Sequence, residues 1–251
     1  MKVHLVVHEA YEAPAAIATW AADRGHLASD SRVYAGDRVP STADGIDFLV
    51  IMGGPQSPST TFRECPYFDS AAEQALISDA VAAGRAVVGV CLGAQLLGAA
   101  LGAPAGPSEQ AEIGVFPIRL TTDGRADRRL ASFPVTLDAA HWHHDMAGLT
   151  PDATVLAASD GCARQIIRYG ELAYGFQCHL EFTRRSIPPL IAASAGELAQ
   201  RSGERYVQTA SFLHEDPYDA MNDALFSFLD NLARDYIATP QGLLRSVAAG
   251  A

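Results

Sequence analysis

The chain has 251 residues, 49% of them apolar, enough for a large α/β core. Its 29 acidic residues against 18 Lys and Arg leave a formal charge of −11 with no basic run, which speaks against nucleic acid as a partner. No apolar run approaches the roughly 18 residues of a membrane span, no leader-like segment precedes the first strand, and four cysteines without a C-x-x-C pair suit a reducing compartment, so a cytoplasmic protein without disulfides is expected.

In chain order, Lys2 to Val7 reads as a first strand, and Ala13 to Arg24, with Pro14 in the first turn and Gly25 as a stop, reads as a helix. His26 to Tyr34 is a second strand candidate. Ile46 to Met52 is a buried third strand that ends in the loop Gly53-Gly54-Pro55-Gln56-Ser57-Pro58. Phe68 to Ala83 has helical apolar spacing closed by Gly84, and Ala86 to Val90 is a β-branched run followed by a helix over Ala94 to Leu101. This alternation predicts an α/β fold with a central, mostly parallel sheet flanked by helices. Short runs follow at Ile113 to Leu120, Val135 to His141, Thr154 to Ala158, Ala163 to Arg168 and Ala173 to Cys178, which suggests further strands, some antiparallel at an edge. Ile187 to Arg201 and Tyr218 to Ile237 read as helices, the second with Leu225, Phe228, Leu229 and Leu232 on one side. One domain over residues 1–238 is expected, with a C-terminal helical extension from about 186 to 238 and a flexible tail over 239–251.

Three stretches carry chemistry. In Gly89-Val90-Cys91-Leu92-Gly93-Ala94-Gln95 a cysteine lies on a strand-to-helix turn with glycine two positions either side, as a sharp nucleophile elbow requires. The helix N-terminus behind it favours a thiolate. In Gln177-Cys178-His179-Leu180-Glu181, residues two apart on a strand share a face, which sets a carboxylate beside an imidazole that can accept a proton. The Gly53-Gly54-Pro55 turn can aim a backbone N–H into a cleft, and the amide after Cys91, that of Leu92, can be its companion.

In chain order, Gly53-Gly54-Pro55, then Gly89 to Gln95, then Gln177 to Glu181, the three stretches resemble the class I, or triad, glutamine amidotransferases, closest to the amidotransferase domain of GMP synthase and its stand-alone relatives. The resemblance covers most of residues 1–183. It implies a flavodoxin-like fold and release of ammonia from a glutamine side-chain amide through a cysteinyl thioester. Cys91 would be the nucleophile, His179 the proton shuttle and Glu181 its orienter, with the Gly54 and Leu92 amides as oxyanion hole. Gly53, Gln95, Trp142, His143 and His144 would border the substrate. Glu112-Ile113-Gly114 matches a short family segment, and His141-Trp142-His143-His144-Asp145 falls where relatives carry a Ser-His-Gly-Asp-like loop. Two departures stand out: Cys178 and Leu180 replace the usual residues of Gln-Phe-His-Pro-Glu, and His143-His144 make the loop bulkier.

No cofactor is implied. Three histidines within residues 141–144 raise a metal reading with Asp145 as a further ligand, but no second His or Cys cluster accompanies them, so no metal is expected. Cys65, Cys162 and Cys178 are read as reduced structural thiols. The partner is L-glutamine or another γ-glutamyl compound. Nothing after Thr183 resembles a synthetase domain, which leaves three readings: a glutaminase subunit serving a synthetase in trans, a stand-alone γ-glutamyl hydrolase, or a non-enzymatic binding or regulatory module.

Overall fold

A computed structural model describes residues 1–215 and 218–243. Its single nine-stranded sheet has the order β2-β1-β3-β4-β9-β8-β7-β5-β6. The strands are β1 (Lys2–Val7), β2 (Leu27–Arg32), β3 (Phe48–Ile51), β4 (Ala86–Val90), β5 (Gly106–Leu120), β6 (Thr136–Met146), β7 (Thr154–Ala158), β8 (Ile166–Gly170) and β9 (Ala173–Phe176). From β2 to β9 the pairs are parallel, and from β9 to β6 they are antiparallel. The sheet is therefore α/β at one end and a meander-like extension at the other.

The inner parallel strands β1, β3, β4 and β9 are buried on both faces, which is why they read as largely apolar runs rather than alternating ones, whereas the edge strand β2 is mostly exposed. Val3, Leu5, Phe48, Val50, Val88 and Val90 face one core, with Trp20 of α1 (Ala15–Asp23) and Phe228, Leu229 and Leu232 of α8 (Asp219–Ile237). Val6, Leu49, Ile51 and Val87 face the other, with Leu76 and Ile77 of α2 (Ser70–Ala82) and Leu96 and Leu97 of α3 (Leu92–Ala100). The apolar face of α8 is thus core. Asp230 fastens it to α1 by accepting from Trp20 Nε1 at 2.8 Å and from the Arg24 guanidinium at 2.9 Å.

Short helices α4 (Thr122–Ala126) and α7 (Ala210–Glu215) have no counterpart in the sequence reading. The helix expected over Ile187 to Arg201 is two, α5 (Ile187–Ala193) and α6 (Ala195–Gln200), because Ser194 leaves helical backbone angles at φ −103° and ψ 16°. The run expected as one strand over His26 to Tyr34 stops at Arg32 and turns into a 3₁₀ turn, Val33–Ala35. Of the expected tail, residues 240–243 form a helical turn and 244–251 lie outside the described residues.

Candidate active site

β4 lies between β3 and β9, so the loops after these strands converge at its C-terminal end. There Cys91 turns the chain from β4 into α3 with φ 51° and ψ −107°. A non-glycine residue in this region costs about 1–3 kcal/mol, strain that recurs at functional turns. The flanking glycines make it sterically feasible. A Cβ at Gly89 would stand 2.3 Å from the Gly93 carbonyl oxygen, and one at Gly93 would stand 2.0 Å from that of Ile51. The helix seats against two strands only because both side chains are absent.

β9 ends at Phe176, so Gln177, His179 and Glu181 follow the strand instead of ending it. That corrects the strand argument for their common face. The segment is held by other bonds: the Cys91 amide donates to the Phe176 carbonyl at 2.7 Å, and the His179 amide donates to the Ala140 carbonyl of β6 at 2.7 Å. The result still sets the imidazole against the carboxylate, with His179 Nδ1 2.7 Å from Glu181 Oε1 and both side chains buried. The ring of Phe182 stacks on that of His179 at 4.2 Å between centroids, fixing its plane. Burial alone would lower the basicity of His179, but the Glu181 carboxylate and the Cys91 thiol raise it well above its ordinary value. His179 Nε2 has no hydrogen-bond partner among the described residues.

Gly53 wedges into the same place. A Cβ built on it would lie 3.2 Å from His179 Cε1 and 3.6 Å from Cys91 Cβ, and one built on Gly54 would lie 2.9 Å from Leu92 Cδ2. The glycine loop and the residue after Cys91 are therefore neighbours. Gln177 Nε2 donates to Cys91 Sγ at 3.5 Å, while its Oε1 accepts from the Ala147 amide at 3.1 Å and from Gln95 Nε2 at 3.5 Å. Cys91 Sγ lies 3.7 Å from the Trp142 carbonyl oxygen.

A cleft of about 280 Å³ opens over Cys91, bordered by Glu12, Gly54, Gln95, Trp142 and Glu197 among others. Trp142 Nε1 donates to Glu197 Oε2 at 3.0 Å, tying α6 across it. His143 borders the cleft, but its ring is buried and paired with Glu112 at 3.3 Å. The His144 side chain is 59% exposed. A larger hollow of about 700 Å³, lined by Val33, Phe62 and Tyr67, contains none of these groups.

Glu12 and Glu197 were not anticipated. Glu12 is half-buried, and burial pushes its carboxyl up to about 7, against the lowering effect of His179 and His8. Its position after β1 was open to inference, since ligands in open α/β sheets bind beyond the carboxyl ends of the strands. Cys65, Cys162 and Cys178 are buried and free, and burial pushes the Cys162 thiol up to about 12. No helix among the described residues is long and apolar enough to cross a membrane.

Residues 12–192 match the family model described as glutamine amidotransferase class-I. The glutamine amidotransferase-like protein YfeJ of Salmonella typhimurium is 52% identical over 232 residues, spanning 92% of this chain and 97% of that one. The crystal structure of SMU.1228c superposes with a TM-score of 0.90 at 48% identity, covering 92% of this chain and 99% of the other. A glutamine amidotransferase from Methylobacillus flagellatus gives 0.83 at 26% identity, with 94% of both chains covered.

Proposed function

Since the chain belongs to the class I glutamine amidotransferase family, we propose that it hydrolyses a γ-glutamyl amide, glutamine in the first instance, through a thioester on Cys91. The observation that carries this reading is the buried His179–Glu181 pair beside a cysteine on a strained elbow.

His179 takes the thiol proton, and the Glu181 carboxylate offsets the charge of the resulting imidazolium. The Cys91 sulfur bonds to the carboxamide carbon, and the carbonyl electron pair moves onto oxygen, towards the Gly54 and Leu92 amides. As the tetrahedral species collapses, the C–N bond breaks and the imidazolium returns its proton to the departing nitrogen. Water, deprotonated by His179, then attacks the thioester, which releases the γ-carboxylate and restores the thiol. Gln177, bonded to the sulfur and to Gln95, holds the elbow and the substrate side of α3 in register.

The ammonia goes either to a synthetase subunit in trans or to solvent. One feature supports the stand-alone hydrolase: the cleft is bordered by the carboxylates of Asp145 and Glu197, by Glu12 with its raised pKa of about 7, and, among the described residues, by no lysine or arginine. Such a rim suits a leaving group that departs as a cationic amine. The purified chain assayed alone against glutamine and a panel of γ-glutamyl amines separates the two. Turnover of an amine-bearing member well above glutamine identifies a hydrolase, whereas a chain slow on every member fits a subunit awaiting its partner. Undiminished turnover by Cys91→Ala would overturn both.

A further inference from the structure

β6 carries His141 and His143 either side of Trp142, and the antiparallel register of β5 places Glu112 opposite His143. All three side chains are buried. His141 Nδ1 and His143 Nε2 lie 3.6 and 3.3 Å from the same oxygen, Glu112 Oε2, and the three atoms stand within 4.8 Å of one another.

The hydrogen positions leave a conflict at this point. His141 Nε2 is 3.2 Å from the Phe116 carbonyl oxygen, which can only accept, so Nε2 carries the hydrogen and Nδ1 turns a lone pair towards the carboxylate. That Nδ1 and Glu112 Oε1 have no hydrogen-bond partner, although both are buried. A lone pair and a carboxylate facing one another in a dry interior call for a cation between them.

We propose that Glu112 Oε2, His141 Nδ1 and His143 Nε2 form a buried site for a zinc-type divalent ion. Bonds of about 2.0–2.1 Å in a tetrahedral site set neighbouring ligand atoms about 3.3–3.4 Å apart, close to the 3.3 and 3.6 Å seen. Two imidazoles and one carboxylate select first-row metals over magnesium or calcium. Part of the surrounding hydrogen bonding has the form such sites use: His141 donates its other ring nitrogen to a backbone carbonyl, and Ser159 Oγ and Gln165 Nε2 donate to Glu112 Oε2 at 2.9 and 2.7 Å, while His143 Nδ1 has no partner among the described residues. The three protein ligands leave the fourth position of a tetrahedral site to water. The metal reading of the histidine run paired it with Asp145; the partner that the fold brings is Glu112.

The ion is structural in this position. The Ala140 carbonyl, next to His141, receives the His179 amide, and the Trp142 carbonyl, between the two ligands, lies against Cys91 Sγ. Pinning β6 at residues 141 and 143 therefore fixes the backbone that touches both groups of the cleft. The site stands independently of which amide is the substrate.

The test is elemental mass spectrometry on the chain purified from zinc-supplemented culture, with thermal melts before and after chelator treatment and on re-addition of zinc or magnesium. One zinc per chain, a melting temperature several degrees higher with zinc than after chelation, and no recovery with magnesium are expected. Glu112→Gln, which keeps the side-chain volume, should weaken zinc binding about 100-fold or more, while Asp145→Asn should retain it. Cobalt substitution should give the strong visible absorption of a tetrahedral site. A native protein without bound metal and with an unchanged melt would overturn the proposal and leave a buried water in that place, as would zinc held equally by Glu112→Gln. If that variant does not fold, the wild-type stoichiometry and melts decide alone.

Discussion

His179 Nδ1 and Glu181 Oε1 lie 2.7 Å apart, with the ring 1% and the carboxylate 2% exposed. Solvent does not screen this pair, so the carboxylate controls both the tautomer of the ring and the ease with which it takes a proton. Glu181→Gln should keep the fold, because an amide oxygen can still accept, but lose the charge that stabilises an imidazolium. A fall in kcat of between about 100- and 10,000-fold is expected. Cys91 alkylation at pH 7 should slow in parallel, which a change confined to substrate binding would not produce.

The elbow glycines make a prediction about stability. Gly89→Ala and Gly93→Ala each drive a Cβ into backbone oxygen, at 2.3 and 2.0 Å, where no side chain can move aside. Each should destabilise by at least about 3 kcal/mol, measured by urea denaturation. Gly196, inside α6 with nothing within 4 Å of an added Cβ, is the control. Its alanine variant should gain about 0.4–1 kcal/mol.

Glu12 should make stability fall as pH rises. Its folded pKa of about 7 stands above its ordinary 4.5, so the folded state holds the proton more tightly than the unfolded chain. The stability it contributes is complete below about 4.5 and is lost as the pH passes through about 7. Melting wild type and Glu12→Gln side by side at pH 5 and pH 8 checks the sign. The variant should gain on the wild type as the pH rises, and a gap independent of pH would count against the assignment.

A second pH effect comes from His8, buried against Glu73 at 2.8 Å and bonded to the Gly53 carbonyl at 2.9 Å. Burial alone would lower its pKa, but Glu73 and that carbonyl raise it above 6.5. Its stabilising contribution is therefore full below pH 6.5 and fades as the pH rises through the folded value. The advantage of wild type over Glu73→Gln in urea midpoints should be larger at pH 6 than at pH 9. The same contact anchors the glycine loop that borders Cys91, so the variant should also lower activity.

Local signals made much of this legible. The strand, turn and helix around Cys91 are contiguous, and the demand for small residues at 89 and 93 follows from backbone sterics alone. His179 and Glu181 were recognisable by spacing, although β9 stops at Phe176 and it is the bridge to Ala140 that holds them. Long-range relationships were not legible. The pairing of Glu112 with His143 depends on a strand register containing a bulge between Pro107 and Glu112, and Glu197 meets Trp142 from a separate short helix that starts after the break at Ser194. Helical periodicity passes smoothly through that serine, so sequence pattern alone joins two helices there.

The most direct test of the account is the intact mass of the protein after incubation with a diazo-ketone or chloro-ketone analogue of glutamine, with Cys91→Ala treated alongside. The account predicts one adduct on the native chain, none on the variant, and protection by excess glutamine or by a γ-glutamyl amide. An adduct that forms equally on Cys91→Ala, or one on Cys91 that no γ-glutamyl compound suppresses, would contradict a γ-glutamyl-shaped site around that cysteine.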